Sequence, residues 1–187
     1  MTNKNNMSQI TKPENFNVND IEFGEKNTID SGASFVNMKL NGRQILMQLP
    51  KLTGFGADVF VDEKSGDKRY TTSVQFKRED VENDEKVKVA LDVLQDFEKR
   101  LKEVAQERSQ EWFKKKKAST DYIDACFTPF LKGSKDKETE EADGRYHTLK
   151  LKLKPNKKKP GSFDFGAFDS SKSKMDITEI EKAKNHE

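Results

Sequence analysis

The chain has 187 residues, 32% of them apolar and 36% charged, a length that suits one domain with tails and a composition that calls for a heavily charged surface. One cysteine (Cys126) and two histidines (His147 and His186) exclude an internal disulfide and leave no plausible zinc set. The net charge of +2 is unevenly spread: residues 1–110 carry −2, residues 111–160 carry +6 and residues 161–187 carry −2. Basic character is therefore concentrated in one segment. The first residues lack the apolar core of a secretory signal and no run approaches a membrane-spanning length, so a soluble intracellular protein is expected.

Residues 1–20 are polar and Asn-rich and read as a flexible arm. Residues 21–168 read as one domain, with a helical insertion over 83–127, and residues 169–187 as a polar tail holding one weak helix around Met175, Ile177 and Ile180. Ile21 and Phe23 start an extended lead-in. Asn41-Gly42 between two alternating runs predicts a hairpin over 34–49. Its register pairs Leu40 with Arg43, Met38 with Ile45 and Val36 with Met47, leaving Phe35, Lys39, Gln44 and Gln48 on the other face. Phe55 lies between Gly54 and Gly56, where its ring could stack on a base or tuck into the core as a plug, the commoner fate of a Phe. Asp58–Val61 and Tyr70–Lys77 read as strands around a solvated turn, with Tyr70, Thr72, Val74 and Phe76 on one face. The acids of that turn do not have EF-hand spacing.

From Asn83 to about Ser109, apolar residues recur at helical spacing: Val87, Ala90, Leu91, Leu94, Phe97, Leu101, Val104 and Ala105. Asn83 is the expected cap, and Asp96–Arg100 and Glu98–Lys102 the expected surface pairs. Trp112 continues the stripe and reads as a core anchor before a base-stacking ring. Lys114, Lys115, Lys116 and Lys117 follow; they complement a helix C-terminus, contact phosphates or serve as a nuclear address. A short helix is predicted over 120–127 with Ser119 as its cap, and Cys126 within it reads as a small buried residue. Residues 132–144 read as a charged loop.

The organising stretch is residues 145–168, which opens with seven cations and no acid between Arg145 and Lys159. Leu149 to Lys154 alternates leucine and lysine strictly, so a strand would send its leucines to a core and its lysines to solvent. Pro155 and Pro160-Gly161 end it, and a second, aromatic strand follows near Phe163, Phe165 and Phe168. Cations beside rings on a sheet are what a single strand of nucleic acid requires, with charge for phosphates and flat faces for unstacked bases. The same lysines would also serve as an edge guard against aggregation. On the nucleic-acid reading, Lys150, Lys152, Lys154, Lys157, Lys158 and Lys159 form the groove with Lys39 and Lys114–Lys117. Phe35, Phe55, Tyr146, Phe163 and Phe165 supply the rings.

Strands divided three-then-two by a helical segment suggest a mainly β, α+β chain: an oligonucleotide-binding-like curved antiparallel sheet or barrel with a long helical insertion. No GxxxxGK[ST] loop is present. Asp164-Phe165-Gly166 spells the kinase metal-binding tripeptide, but no His-Arg-Asp loop accompanies it. His147 has no identifiable catalytic partner. The expectation is a non-enzymatic protein without cofactor or metal.

LNGRQILMQLPKL, GADVFVDEKSGDKRYTTSVQF, SQEWFKKKKAS, FTPFLKGSKDKET, YHTLKLKLK and AFDSSKSKMDI, in that order, resemble the single-stranded-DNA-binding proteins of nucleocytoplasmic large DNA viruses across about residues 20–180. The resemblance implies an oligonucleotide-binding-type domain that binds single-stranded DNA without sequence preference. It also implies a role in viral replication, recombination or repair at a replication site in host cytoplasm or nucleus, alongside replication proteins. It implies no enzymatic activity and no cofactor. The family's further strands, with an aromatic, glycine-rich ending, do not follow AFDSSKSKMDI here, so a shorter or truncated member is expected, with closure of the barrel left open. The alternatives are an RNA or duplex binder, or an assembly module whose basic strand docks an acidic partner and whose Phe cluster is an interface.

Overall fold

The computed structural model describes residues 10–64, 66–156, 158–159, 162–176 and 179. The chain divides into two compact units, Met1–Lys51 with Glu79–Pro129 and Leu52–Arg78 with Phe130–Glu187. The division runs through the stretch 21–168.

In the first unit, strands β1 (Ile21–Thr28), β2 (Ser34–Leu40) and β3 (Arg43–Gln44) form an antiparallel sheet in that order. Asn41 and Gly42 both have positive φ, 51° and 73°, as the predicted two-residue turn requires. Leu40 pairs with Arg43 as expected, but the ladder ends one step later at Lys39–Gln44. Met38 and Val36 pair instead with Phe23 and Lys26 of β1. The segment that should have extended β3 is held elsewhere: Thr11 N–H donates to the Leu46 carbonyl (2.9 Å), and Gln48 N–H donates to the Thr11 carbonyl (3.0 Å). The arm expected over 1–20 is thus built into the unit from Thr11 onward, whereas residues 1–9 lie outside the described residues. Pro13 and Phe16 are buried, and the Phe16 ring lies 6.0 Å from that of Phe97.

Helix α1 (Arg78–Asn83) precedes the long α2 (Glu85–Glu107). Asp84 rather than Asn83 caps α2, its carboxylate accepting from Lys86 N–H at 2.8 Å. An anion there also favours the positive end of the helix dipole. Val87, Ala90, Leu91, Leu94, Val104 and Ala105 are buried, as the apolar stripe predicts. Arg100 turns to Glu103 (3.4 Å) and Glu107 (3.3 Å), and Lys102 reaches Asp124 at 2.8 Å. Helices α3 (Ser109–Phe113) and α4 (Thr120–Cys126) close a cluster of Ala105, Ala118 and Ile123 against Trp112, Phe113 and Tyr122. Ser119 caps α4 as expected, accepting from Tyr122 N–H at 3.2 Å. Cys126 is exposed, not buried, at the last residue of that helix.

In the second unit, β4 (Thr53–Val61), β5 (Lys68–Lys77), β6 (Leu131–Lys135) and β7 (Ala142–Leu153) form an antiparallel sheet in the order β4-β5-β7-β6. Strand β6 and the start of β7 occupy much of the stretch expected to be a charged loop. Only the turn between them is non-strand, and there the Asp136 carboxylate accepts from Glu138 N–H (2.9 Å) and Thr139 N–H (3.0 Å). Strands β8 (Ala167–Phe168) and β9 (Lys174–Met175) form a last hairpin, so Met175 stands in a strand; Ile177 and Ile180 lie outside the described residues. Ala57, Tyr70 and Phe163 make a core with Leu153, Ala167 and Met175, and Phe76, Leu131 and Leu149 are also buried. The fold is α+β with antiparallel sheets. Among the described residues no sheet closes into a barrel.

Candidate nucleic-acid interface

The site follows from one register. Strand β5 pairs with β7 so that Tyr70, Thr72, Val74 and Phe76 oppose Leu153, Leu151, Leu149 and His147. The alternate positions are Thr71 opposite Lys152, Ser73 opposite Lys150, Gln75 opposite Thr148 and Lys77 opposite Tyr146. Side chains alternate between faces along a strand, so these two sets look in opposite directions. Leucines and aromatics line the first face, where Phe76 and Leu149 are buried; lysines and small hydroxyl-bearing or amide residues line the second.

The neighbouring strands extend both faces. Lys132 of β6 pairs with Thr148, and Asp58 and Phe60 of β4 pair with Thr71 and Arg69. The second face therefore presents Lys132, Lys150, Lys152, Arg69 and Lys77, with Asp58 as the acid on β4. Lys150 and Lys152 are exposed and sit about 6.8 Å apart along β7, two residues at strand rise. Lys154, also exposed, continues the stripe where β7 ends.

Rings are present, though only some of them stand where the sequence places them. Phe60, 60% exposed, lies on the lysine face next to Arg69 and was not among the expected contacts. Tyr146 is half-buried on that face opposite Lys77. Phe55 is 44% exposed and so is not a core plug; with Gly56 it opposes Ser73 at an irregularity between Gly54 and Ala57. The Thr72 hydroxyl donates to the Gly56 carbonyl there at 2.7 Å.

Phe163 is corrected from contact to core. It is 9% exposed, meets Tyr70 edge-on at 5.3 Å, and so packs on the leucine face, away from Lys150 and Lys152. Phe165 stacks on it at 4.9 Å with planes 18° apart, leaving one ring 41% exposed on that same side. Beyond Pro155 the chain turns over the sheet, and Lys158 and Lys159 sit in that turn, their N–H groups donating to the Asn156 side chain (2.8 and 2.9 Å). Lys157 lies outside the described residues.

Lys39, Phe35 and Lys114–Lys117 belong to the first unit. Phe35 borders an open apolar groove of about 310 Å³ with Phe23, Met38, Leu101, Trp112 and Phe113. Lys114 takes the left-handed conformation (φ 57°) that ends α3, and Lys115 stands 4.0 Å over the Tyr122 ring. Trp112 is half-buried against Phe23, whose ring is 6.3 Å away, as a core anchor would be.

One carboxylate, that of Asp143, joins β6 to β7. Asp143 accepts from the buried Ser134 hydroxyl, from Arg145 N–H (3.0 Å) and from Arg145 Nε (2.7 Å). The Arg145 guanidinium, then the Ser134 hydroxyl, hold its carboxyl far below the usual carboxylate range. Next to it Gly144 has φ 63°, a left-handed conformation that favours glycine; a Cβ there would stand 2.8 Å from Arg78 Nη2, the mobile end of a long side chain.

Sequence reasoning missed Arg69, Lys77, Lys132 and Phe60 because they stand outside β7, in strands β5, β6 and β4. The alternation of Tyr70, Thr72, Val74 and Phe76 was the available signal, since it already assigns Arg69 and Lys77 to the outer face. Among the described residues no helix is long and apolar enough to cross a membrane. Compared with protein-family models, curated proteins and solved structures, the chain matches none.

Proposed function

We propose that the chain is a non-enzymatic, sequence-independent binder of single-stranded DNA, acting through the lysine face of the β4-β5-β7-β6 sheet. One observation carries the reading: the β5–β7 register sets Lys150 and Lys152 on a face shared with Arg69, Lys77 and Lys132, opposite the face that buries Phe76 and Leu149. Phosphates would be neutralised by this stripe, and bases would stack on Phe60, with Tyr146 and Phe55 at its margins. Stacking is worth about 1–3 kcal/mol per base whatever the base, which gives low sequence specificity. The resemblance to viral single-strand binders supports the same reading, and with it a role in DNA replication, recombination or repair. An oligonucleotide-binding-type fold belongs to this proposal; its support is that the helices fall between β5 and β6, with strands before and after.

The test is a fluorescence-anisotropy titration with labelled single-stranded DNA, single-stranded RNA and duplex DNA of equal length at several salt concentrations. Single-stranded DNA should bind most tightly, with log K falling against log salt by ~0.7 for each phosphate neutralised. Equal binding of duplex would remove the role of the rings, and preference for RNA would change the substrate. No binding to any of them at low salt would overturn the proposal and leave the lysines as an edge guard or a protein-docking surface.

A further inference from the structure

The two edges of the four-stranded sheet are unlike. Strand β6 is five residues long and carries Lys132 and Lys135, the kind of charge that blunts an edge against pairing with another chain. Strand β4 is nine residues long, TGFGADVFV, and has no Lys, Arg or Pro. Among the described residues it pairs only with β5. Its irregularity at Phe55-Gly56 disturbs the first half; Ala57–Val61 keeps unbroken register with β5. Along that half Val59, Phe60 and Val61 are 37%, 60% and 49% exposed, so large apolar side chains stand open on both faces of one edge. A strand edge of this kind is a template for another strand, and the antiparallel partner it fits without further design is its own copy.

We propose that β4 pairs antiparallel with β4 of a second copy of this chain, about a two-fold axis through Val59. Opposed residues must lie on the same face, which limits the choice of register. Centring on Phe60 would draw in Asp62, which lies beyond the end of β4 and whose backbone is held in the following turn, its N–H donating to the Asp67 carbonyl (2.9 Å) and its carbonyl accepting from Gly66 N–H (2.8 Å). Centring on Val59 sets Val59 against Val59, Ala57 against Val61 and Asp58 against Phe60. The two Phe60 rings then lie on a diagonal within reach of aromatic side chains. The axis is perpendicular to the sheet, so both copies keep their lysine faces on the same side. The product is an eight-stranded sheet with two parallel-facing basic stripes, one from each copy, and no long apolar edge.

The inference stands on the β4 edge alone and is tested without nucleic acid, so its failure is distinct from failure of the single-strand reading. Sedimentation velocity of the full chain over a concentration series should show a monomer–dimer equilibrium. Phe60→Lys and Val61→Lys, both at exposed positions, should keep the wild-type circular dichroism and weaken dimerisation at least tenfold each. Register is read with Val59→Cys on a Cys126→Ser background. Opposed Cα atoms in an antiparallel pair lie about 4.5–5.5 Å apart, within reach of a disulfide. Mild oxidation should therefore give a reducible covalent dimer, and Lys132→Cys on the same background should not. A monomer at every concentration, a dimer indifferent to both lysine variants, or equal cross-linking at positions 59 and 132 would overturn the proposal.

Discussion

Lys114–Lys117 and Lys150–Lys154 look alike as composition, yet the two settings have little in common. The first run ends a five-residue helix: Lys114 bends into a left-handed conformation and Lys115 covers a tyrosine ring. Consecutive lysines on such a turn point in several directions. The second run is spaced by leucines in a strand whose neighbours fix its register, so its cations point one way, two residues apart, beside cations from β5 and β6. A charge cluster acts as an interface when backbone hydrogen bonding makes its spacing and direction constant. Charge density alone does not do this.

The largest expected effect tests that contrast. Lys150/Lys152/Lys154→Glu should abolish single-strand binding in an anisotropy titration while circular dichroism and melting stay as in the wild type. Lys114–Lys117→Glu should weaken binding far less. If the second variant abolishes binding and the first does not, the interface belongs to the first unit.

The next contrast lies within β7. Leu149→Ala removes a buried side chain and should cost about 2–5 kcal/mol in denaturant unfolding. Lys150→Ala, one residue on and facing solvent, should stay within about 0.5 kcal/mol. Equal costs would mean that the two sides of β7 are not the core and solvent sides described. Smaller again, Phe60→Ala should lose about 1–3 kcal/mol of single-strand affinity and leave duplex affinity unchanged. A matching loss on duplex would show that Phe60 shapes the strand rather than stacking on bases.

The smallest effect concerns acid. Asp143's carboxyl is held low in the folded chain by Arg145 and Ser134, so the ionised form stabilises the fold. That contribution is complete above the unfolded carboxylate value of about 3.9 and is lost as pH falls below it toward the folded value. Thermal melts from neutral pH into acid should show a shallower decline for Asp143→Asn than for the wild type, and parallel curves would remove the group's role.

Much of the architecture was legible from local signals. The α2 stripe, the Ser119 cap, the Asn41-Gly42 turn, the strands flanking the turn at 62–67 and the leucine–lysine alternation of β7 all depend on residues a few positions apart. What misled depends on distant partners. The hairpin after Gly42 stops short because Thr11 takes the backbone groups of Leu46 and Gln48. Phe163 is adjacent to the lysine run in sequence but lies on the opposite face, because the turn after Pro155 carries the chain over the sheet to Tyr70.

By itself the sequence determined which residues can share a face, since periods of 2 and 3.6 are properties of the backbone and hold before any tertiary contact forms. It thus determined that β7 has a leucine side and a lysine side. Only the tertiary structure decided what stands beside those lysines, because strand order and register are settled by which apolar faces bury one another across long separations. That selection brought Arg69, Lys77, Lys132 and Phe60 to the lysine face and took Phe163 away from it.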